Sequence, residues 1–306
     1  MEIGPGARAV AMGQAYTGVA DDVDAIYWNP AGLARIPHPE LEGMHTQYFQ
    51  SIGYEYAAFA YPTENHGTWG VAISNLHTND IEARTQDTDA PTGTFSAIDS
   101  AYWLSYAYAL TDRLSVGANA KWIRQTLDSV NANAYAADGG VRYDTAWHDM
   151  RLGASVQNLG TSVKFNSVSD PLPLTYRFGA SAPVTSKLLV SSDLILPRDS
   201  AVALAFGGEY RARLFDDVSG AFRTGYQTGS DVDGLSGVSV GGGLSFGRTS
   251  FDFAWVPFGE LGNTYRYALH IKFGPPAEEL KRKPGLQMKK VQAPADPTLV
   301  DPSLNF

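Results

Sequence analysis

Apolar and polar residues alternate along most of this chain. From Leu114 to Trp122, Leu114, Val116, Ala118, Ala120 and Trp122 are apolar, and Ser115, Gly117, Asn119 and Lys121 interleave with them. A period of two places the two sets on opposite faces of a β-strand. The segment at Tyr265–Phe273 repeats the design: Tyr265, Tyr267, Leu269, Ile271 and Phe273 share one face, and Arg266, Ala268, His270 and Lys272 share the other. Phe222, Thr224 and Tyr226 alternate with Ala221, Arg223 and Gly225 in the same way. The pattern predicts about fourteen strands, at 41–50, 53–61, 67–75, 98–110, 114–124, 135–146, 149–159, 174–182, 188–196, 201–211, 217–228, 236–246, 249–257 and 264–273. Most have the length of about 9–11 residues that a tilted membrane-spanning strand needs. The first three stand apart because Tyr54, Phe59 and Tyr61 put aromatics on both faces.

Connection lengths alternate as well. Thr111-Asp112-Arg113, Trp147-His148 and Gly247-Arg248, after even-numbered strands, are near-minimal turns. Leu76–Ala97 and Gly160–Pro173, after odd-numbered strands, are long. Bacterial outer-membrane barrels have short turns on the periplasmic side and long loops outside, with both chain ends on the turn side. Tyr102, Tyr108, Trp122, Trp255 and Tyr265 gather toward strand ends on the apolar face, as interfacial girdles do. The opposite face carries charge at mid-strand in Lys121, Arg142, Arg151, Asp193, Glu209, Arg223, Asp252 and Arg266. An aqueous lumen accommodates these charges, and so does the wet outside of a soluble two-sheet sandwich. The two architectures differ in whether the chain folds without detergent. The expected fold is all-β, a transmembrane antiparallel barrel of about fourteen strands.

Composition narrows function. Gly 31, Tyr 16, Phe 14 and Trp 6 favour β structure, and zero Cys excludes disulfides, thiolate zinc sites and cysteine nucleophiles. A mean hydropathy of -0.19 without a long apolar run excludes a helical membrane span but is normal for a barrel. A net charge of -9 argues against nucleic-acid partners. The six histidines form no zinc-protease spacing. Gly237-Val238-Ser239-Val240-Gly241 has the letters of a nucleophile elbow but lies in an alternating β run, where no helix follows. Asp80, Glu82, Asp87 and Asp89, and Asp231 with Asp233, are oxygen-rich loop clusters that read more simply as a solvated anionic surface than as a calcium site. Glu55 and Lys121 are candidates to face the lumen. No catalytic residue, metal site or cofactor is expected.

Two segments fall outside the strand pattern. Residues 1–40 combine glycines and small residues with one short helical stretch near Ala25–Ala34. Residues 274–306 hold six prolines and the basic clusters Lys281-Arg282-Lys283 and Lys289-Lys290, and read as a periplasmic extension that docks a partner. The chain opens without a charged and apolar leader, which suits a processed, exported protein and a cytoplasmic one alike.

The run Gly6-Ala7-Arg8-Ala9-Val10-Ala11-Met12-Gly13, followed by Ala20-Asp21-Asp22 and then Trp28-Asn29-Pro30-Ala31-Gly32-Leu33, resembles the opening of the PorV/PorQ group of outer-membrane proteins. That group is similar to the FadL-like long-chain fatty-acid transporters. The closing strand Tyr265–Phe273 and Gly274 also resembles the group's barrel end, and between these two regions the likeness is one of pattern. The resemblance implies a fourteen-stranded barrel (41–273) with residues 1–40 folded inside as a hatch, in the bacterial outer membrane. It implies a non-enzymatic role in passing or binding a hydrophobic small molecule. An alternative is an accessory subunit of a type IX-like secretion or other envelope complex. Geometry agrees, since eight strands close on their own side chains and fourteen enclose a real void. In this reading Gly13, Asp21, Asp22, Asn29 and Pro30 are candidate hatch or gating residues. A plainer role as turn and cap residues is open to Asp21, Asp22, Asn29 and Pro30.

Overall fold

In the computed structural model the described residues are 3–48, 52–63, 66–84, 86–87, 90–165, 168–229 and 236–274. The basic residues Lys281, Arg282, Lys283, Lys289 and Lys290 lie outside them, as do Asp89, Asp231 and Asp233. The strands are β1 (Glu40–Gln47), β2 (Ile52–Pro62), β3 (Thr68–Ala83), β4 (Gly93–Ala109), β5 (Leu114–Leu127), β6 (Val130–Asp144), β7 (Arg151–Gly160) and β8 (Val163–Phe165). They continue as β9 (Val168–Asp170), β10 (Thr175–Pro183), β11 (Leu188–Pro197), β12 (Ala203–Arg213), β13 (Val218–Gln227), β14 (Val238–Phe246), β15 (Thr249–Pro257) and β16 (Asn263–Lys272). Fourteen of them close one antiparallel barrel in chain order, with β1 pairing β16. β8 and β9 form a separate hairpin within the connection from β7 to β10. Closure removes both edges of the barrel sheet, so no unpaired ladder of the barrel faces the surroundings.

The wall sorts its side chains as the alternation predicts. On β4, Ala101, Trp103 and Ser105 face inward and are buried, whereas Leu104 between the last two is 54% exposed. Outward-facing Trp69, Val71, Leu104, Tyr106, Phe178, Phe206, Phe222, Leu244 and Leu269 continue an apolar belt around the molecule. A belt on every strand far exceeds the few hundred Å2 of apolar patch that a monomer carries in water. Inward-facing Lys121, Arg142, Asp193, Glu209, Arg223, Asp252 and Arg266 are all buried. The sandwich alternative therefore does not hold, because the apolar faces of the strands do not meet one another.

Six short connections (63–67, 110–113, 145–150, 184–187, 214–217 and 247–248) lie at one end, together with the start of β1 and the end of β16. The two strand ends are tied there by a 2.8 Å bond from Phe273 N to Pro39 O. β3 and β4 overrun the sequence expectation: the connection spans only 84–92, not Leu76–Ala97. Beyond the apolar belt both faces of a strand meet water, so the alternation that marks a strand disappears while its hydrogen bonds continue. The bulge between Thr78 and Ile81, with Asp80 at φ 56, lies in this extension.

Candidate functional site: a hatch clamped in the lumen

Residues 3–39 lie inside the barrel. They form a five-residue helix α1 (Ala7–Ala11), a single turn α2 (Ala25–Trp28) and a 3-10 helix (Pro30–Arg35). Trp28, Tyr16, Met12, Ile26 and Leu33 are fully buried, each favouring docking by about 1.5–3 kcal/mol. Glycines in the wall make room for them. A Cβ on Gly117 or Gly140 would strike Pro30 and Ala31, one on Gly153 would strike Thr17, and one on Gly207 or Gly225 would strike Met12. Gly70 is of the same kind: its missing side chain accommodates Ile26 and Leu33.

Polar groups of hatch and wall satisfy one another, as buried backbone requires. Asn119 Nδ2 donates to Ile26 O at 2.7 Å, Ser155 Oγ to Trp28 O at 3.1 Å and Ser181 Oγ to Gly18 O at 2.9 Å. Arg142 Nη1 donates to Ala20 O at 3.1 Å, and Arg177 Nη2 to Gln14 O at 2.6 Å. Asp193 accepts from Thr17 N at 3.0 Å, and Glu40 from Val23 N at 3.0 Å. Ser239 accepts from Gly13 N at 3.0 Å and donates to Ala11 O at 3.1 Å. The apparent nucleophile elbow is thus a latch on the hatch. Among the described residues, no backbone-to-backbone hydrogen bond joins residues 3–38 to the wall.

The strongest clamp is centred on Arg8. Its Nε and Nη2 grip Glu209 of β12 at 2.9 and 3.1 Å, and its Nη1 reaches Asp21 and Asp22, each at 2.7 Å, and the Tyr16 hydroxyl at 2.6 Å. Glu209 also binds Arg223 Nε at 2.7 Å and Arg211 Nη2 at 2.8 Å, and Arg223 passes on to Asp252 at 2.6 Å. Arg151 secures Asp21 from the other side at 3.1 Å. Burial pushes the Asp21 carboxyl up, but Arg8 and Arg151 more than offset it and hold it well below the usual carboxylate range. Asp24 goes the other way. Burial, then the charge of Asp22, pushes its carboxyl well above the usual range, and it shares a hydrogen bond with Glu42 of β1.

The five residues named from sequence all lie in the hatch, in three places. Asp21 and Asp22 belong to the Arg8 cluster. Gly13, at φ 64, lies against β13 and Ser239. Asn29 caps the 3-10 helix by accepting from Ala31 N at 3.2 Å and donates to Thr17 O at 3.0 Å and Val141 O at 3.1 Å, while Pro30 starts that helix. Lys121 faces the lumen, but it spends its charge on Asp138 at 2.8 Å and Asn158 at 2.7 Å rather than on the hatch. Glu55 departs from expectation: it faces outward and pairs with His45 at 2.7 Å. The central residues Arg8 and Glu209 were in view without a role, since the contact spans 201 positions and no local spacing signals it.

Two small openings lie on the loop side of the hatch. A 200 Å3 hollow is lined by Val10, Gly13, Gln227, Val256, Phe258 and Arg266, and a 20 Å3 void lies among Ile3, Tyr27, Tyr54, Leu76 and Trp103. A larger cavity of 580 Å3 opens at the turn end and is lined by charged residues including Arg8, Arg223 and Asp252.

The family model described as "Uncharacterised protein family (UPF0164)" matches residues 1–171, more than half of the chain. The chain belongs to this family. In the present UPF0164 member the matched stretch covers the hatch, the wall from β1 to β7 and the β8–β9 hairpin. No curated protein sequence matches. Among solved structures, the Pseudomonas putida toluene transporter TodX is similar over 89% of this chain and 99% of its own, at 11% identity and a TM-score of 0.58. A Pseudomonas aeruginosa FadL homologue is similar over 90% of this chain and 99% of its own, at 11% identity and a TM-score of 0.55. The likeness is one of fold, a closed barrel of the FadL type.

Proposed function

We propose that this UPF0164 member is a bacterial outer-membrane barrel that lets hydrophobic small molecules pass, with residues 3–39 as the gate. The observation that carries this reading is the way the hatch is held. Side chains, not strand pairing, join it to the wall, so it can shift without breaking a single rung of the barrel ladder. The two openings on the loop side, of 200 Å3 and 20 Å3, are smaller than an ordinary ligand pocket of about 300–1,000 Å3, so a molecule of any length that enters through them needs that shift. A ligand moves the hatch only by as much as it binds the displaced form better. The apolar belt supports placement in a lipid bilayer, with the short turns on the periplasmic side. The neighbours described as a toluene transporter and a FadL homologue support a hydrophobic cargo and a non-enzymatic role. Uptake of a fluorescent fatty acid and of toluene by cells carrying this barrel in place of their own FadL-type protein tests the reading. Uptake of either probe above the empty-vector level supports it, and uptake of both at the empty-vector level contradicts it.

The opening motif at Gly6–Leu33 supports a narrower kinship with the PorV/PorQ group and an alternative role beside a secretion complex. Affinity capture with the full chain and with residues 274–306 removed separates the two roles. Loss of a defined set of envelope proteins on truncation favours the alternative.

A further inference from the structure

The 580 Å3 cavity at the turn end has no place in hydrophobic passage. Its size is that of an ordinary ligand pocket, about 300–1,000 Å3. It exists because β13, β14 and β15 present Ser219, Ala221, Ser245 and Ser250 inward at this end, where longer side chains would fill the lumen. Basic residues flank this small-residue floor on two sides. Lys187, Arg211 and Arg213 rise from the β11–β12 side, and Arg248 and Lys272 from the β15–β16 side. The hatch roofs it with Arg8, Asp21 and Asp22.

The charges are not all spent. Arg8 and Arg223 are consumed by Glu209, Asp21, Asp22 and Asp252, and Arg211 also pairs with Glu209. Lys272 lies 3.6 Å from Glu40. Among the described residues, Lys187, Arg213 and Arg248 have no carboxylate partner, and Arg213 donates only to the backbone oxygens of Phe215 and Asp216. Three unneutralised cations converging on one concave mouth stand out in a chain of net charge -9. The guanidinium forks suit phosphate or carboxylate oxygens, and the serine hydroxyls supply further donors. Because the free cations occupy both flanks, an anion with a single charged group would meet only one of them.

We propose that this vestibule is a binding site for a small polyvalent anion, one carrying two or more phosphate or carboxylate groups, on the turn-end face of the hatch. The inference goes beyond hydrophobic passage and does not depend on it. The test is calorimetric titration of the detergent-purified full chain with inorganic pyrophosphate and, separately, citrate, at constant ionic strength. Saturable binding in the range of about 10–500 μM is expected for at least one probe, and the stronger of the two names the preferred group. The triple variant Lys187→Gln/Arg213→Gln/Arg248→Gln removes only cations without carboxylate partners, so the hatch clamp stays intact. It should weaken that binding at least about tenfold, or about 1.4 kcal/mol. Lys164→Gln on the loop-end hairpin should leave it unchanged. Absence of saturation for both probes up to about 10 mM, or equal binding by the triple variant, overturns the proposal. Either result leaves the uptake experiment to be read by itself.

Discussion

Replacing Arg8 by Met should free the hatch while leaving the barrel closed. Arg8 makes five short polar contacts, to Glu209 twice and to Asp21, Asp22 and Tyr16 once each. Removing one partner from a buried ion pair costs about 3–5 kcal/mol, because the other charge stays buried without compensation. Here the lower figure applies, since Glu209 keeps Arg223 and Arg211, and Asp21 keeps Arg151. Asp22 is left with the Tyr16 hydroxyl at 2.5 Å. A loss of about 3 kcal/mol raises the displaced population about a hundredfold. The chain has no Cys, so a single Val19→Cys in the fully buried hatch reports that population through its rate of thiol labelling. Labelling follows the open fraction when reclosing outpaces the reagent. The Arg8→Met background should label about a hundredfold faster, with the boiled-versus-unboiled gel shift of the barrel unchanged. Arg8→Lys, which keeps charge but loses the fork, should fall between. A rate within about threefold of the parent would refute the idea that this cluster holds the hatch.

The same reporter serves three further predictions. Ser239→Ala orphans Ala11 O, while Gly13 N keeps Val10 O at 3.0 Å, and a loss of about 1–3 kcal/mol for the buried unsatisfied group should speed labelling at least fivefold, with unchanged labelling against it. Gly140→Val drives a side chain into Asn29 and Pro30 and should speed labelling, whereas Gly43→Val, with open space around its Cβ position, should not. Asp24 sits among Glu42, Asp22, Arg8 and Asp252, and its carboxyl is raised in the docked hatch. Docking therefore takes up a proton, is favoured below the ordinary carboxyl value of about 4, and weakens as pH rises above it. Labelling, corrected for the reagent's own thiolate dependence, should increase from pH about 5 to 8, and Asp24→Asn should flatten the rise. Asp21, whose carboxyl is lowered, acts oppositely, and its contribution is lost only as pH falls below about 4.

Much of the wall was legible because every strand has a lipid side and a lumen side. Lys121, Glu209 and Arg223 point inward where alternation puts them, and Leu114–Leu127 differs from its expected span of 114–124 only beyond the belt. Legibility fails where the two environments stop differing. β3 and β4 run on through Asn79 and Ser96 because hydrogen bonding, not hydrophobic contrast, sustains them there. Tyr54 and Tyr56 blur the second strand because the lumen near them is aromatic, with Tyr56 edge-on to Trp103 at 6.3 Å. Glu55 misleads for the opposite reason, a charge on the outer face matched by His45. The hatch follows a different logic. The opening motif pointed to Gly13, Asp21, Asp22, Asn29 and Pro30, but the wall partners of Gly13, Asp21 and Asn29, which are Ser239, Arg151 and Val141, lie more than a hundred positions away, and Asp22 is held within the hatch by Arg8 and Tyr16. Gly70, Gly117 and Gly225 carry no signal in isolation, since only the position of the hatch makes a side chain there impossible.

A covalent lock tests the gate most directly. Thr17 Oγ1 of the hatch donates to Asp193 Oδ2 of β11 at 2.5 Å, so Thr17→Cys/Asp193→Cys brings two thiols to where a disulfide between hatch and wall can close after small shifts, in a chain with no other thiol. The measurement is uptake of a hydrophobic fluorescent probe by proteoliposomes carrying this variant, oxidised and then reduced. The account predicts uptake at the protein-free level when oxidised and recovery on reduction. Equal uptake in both states would contradict a moving hatch.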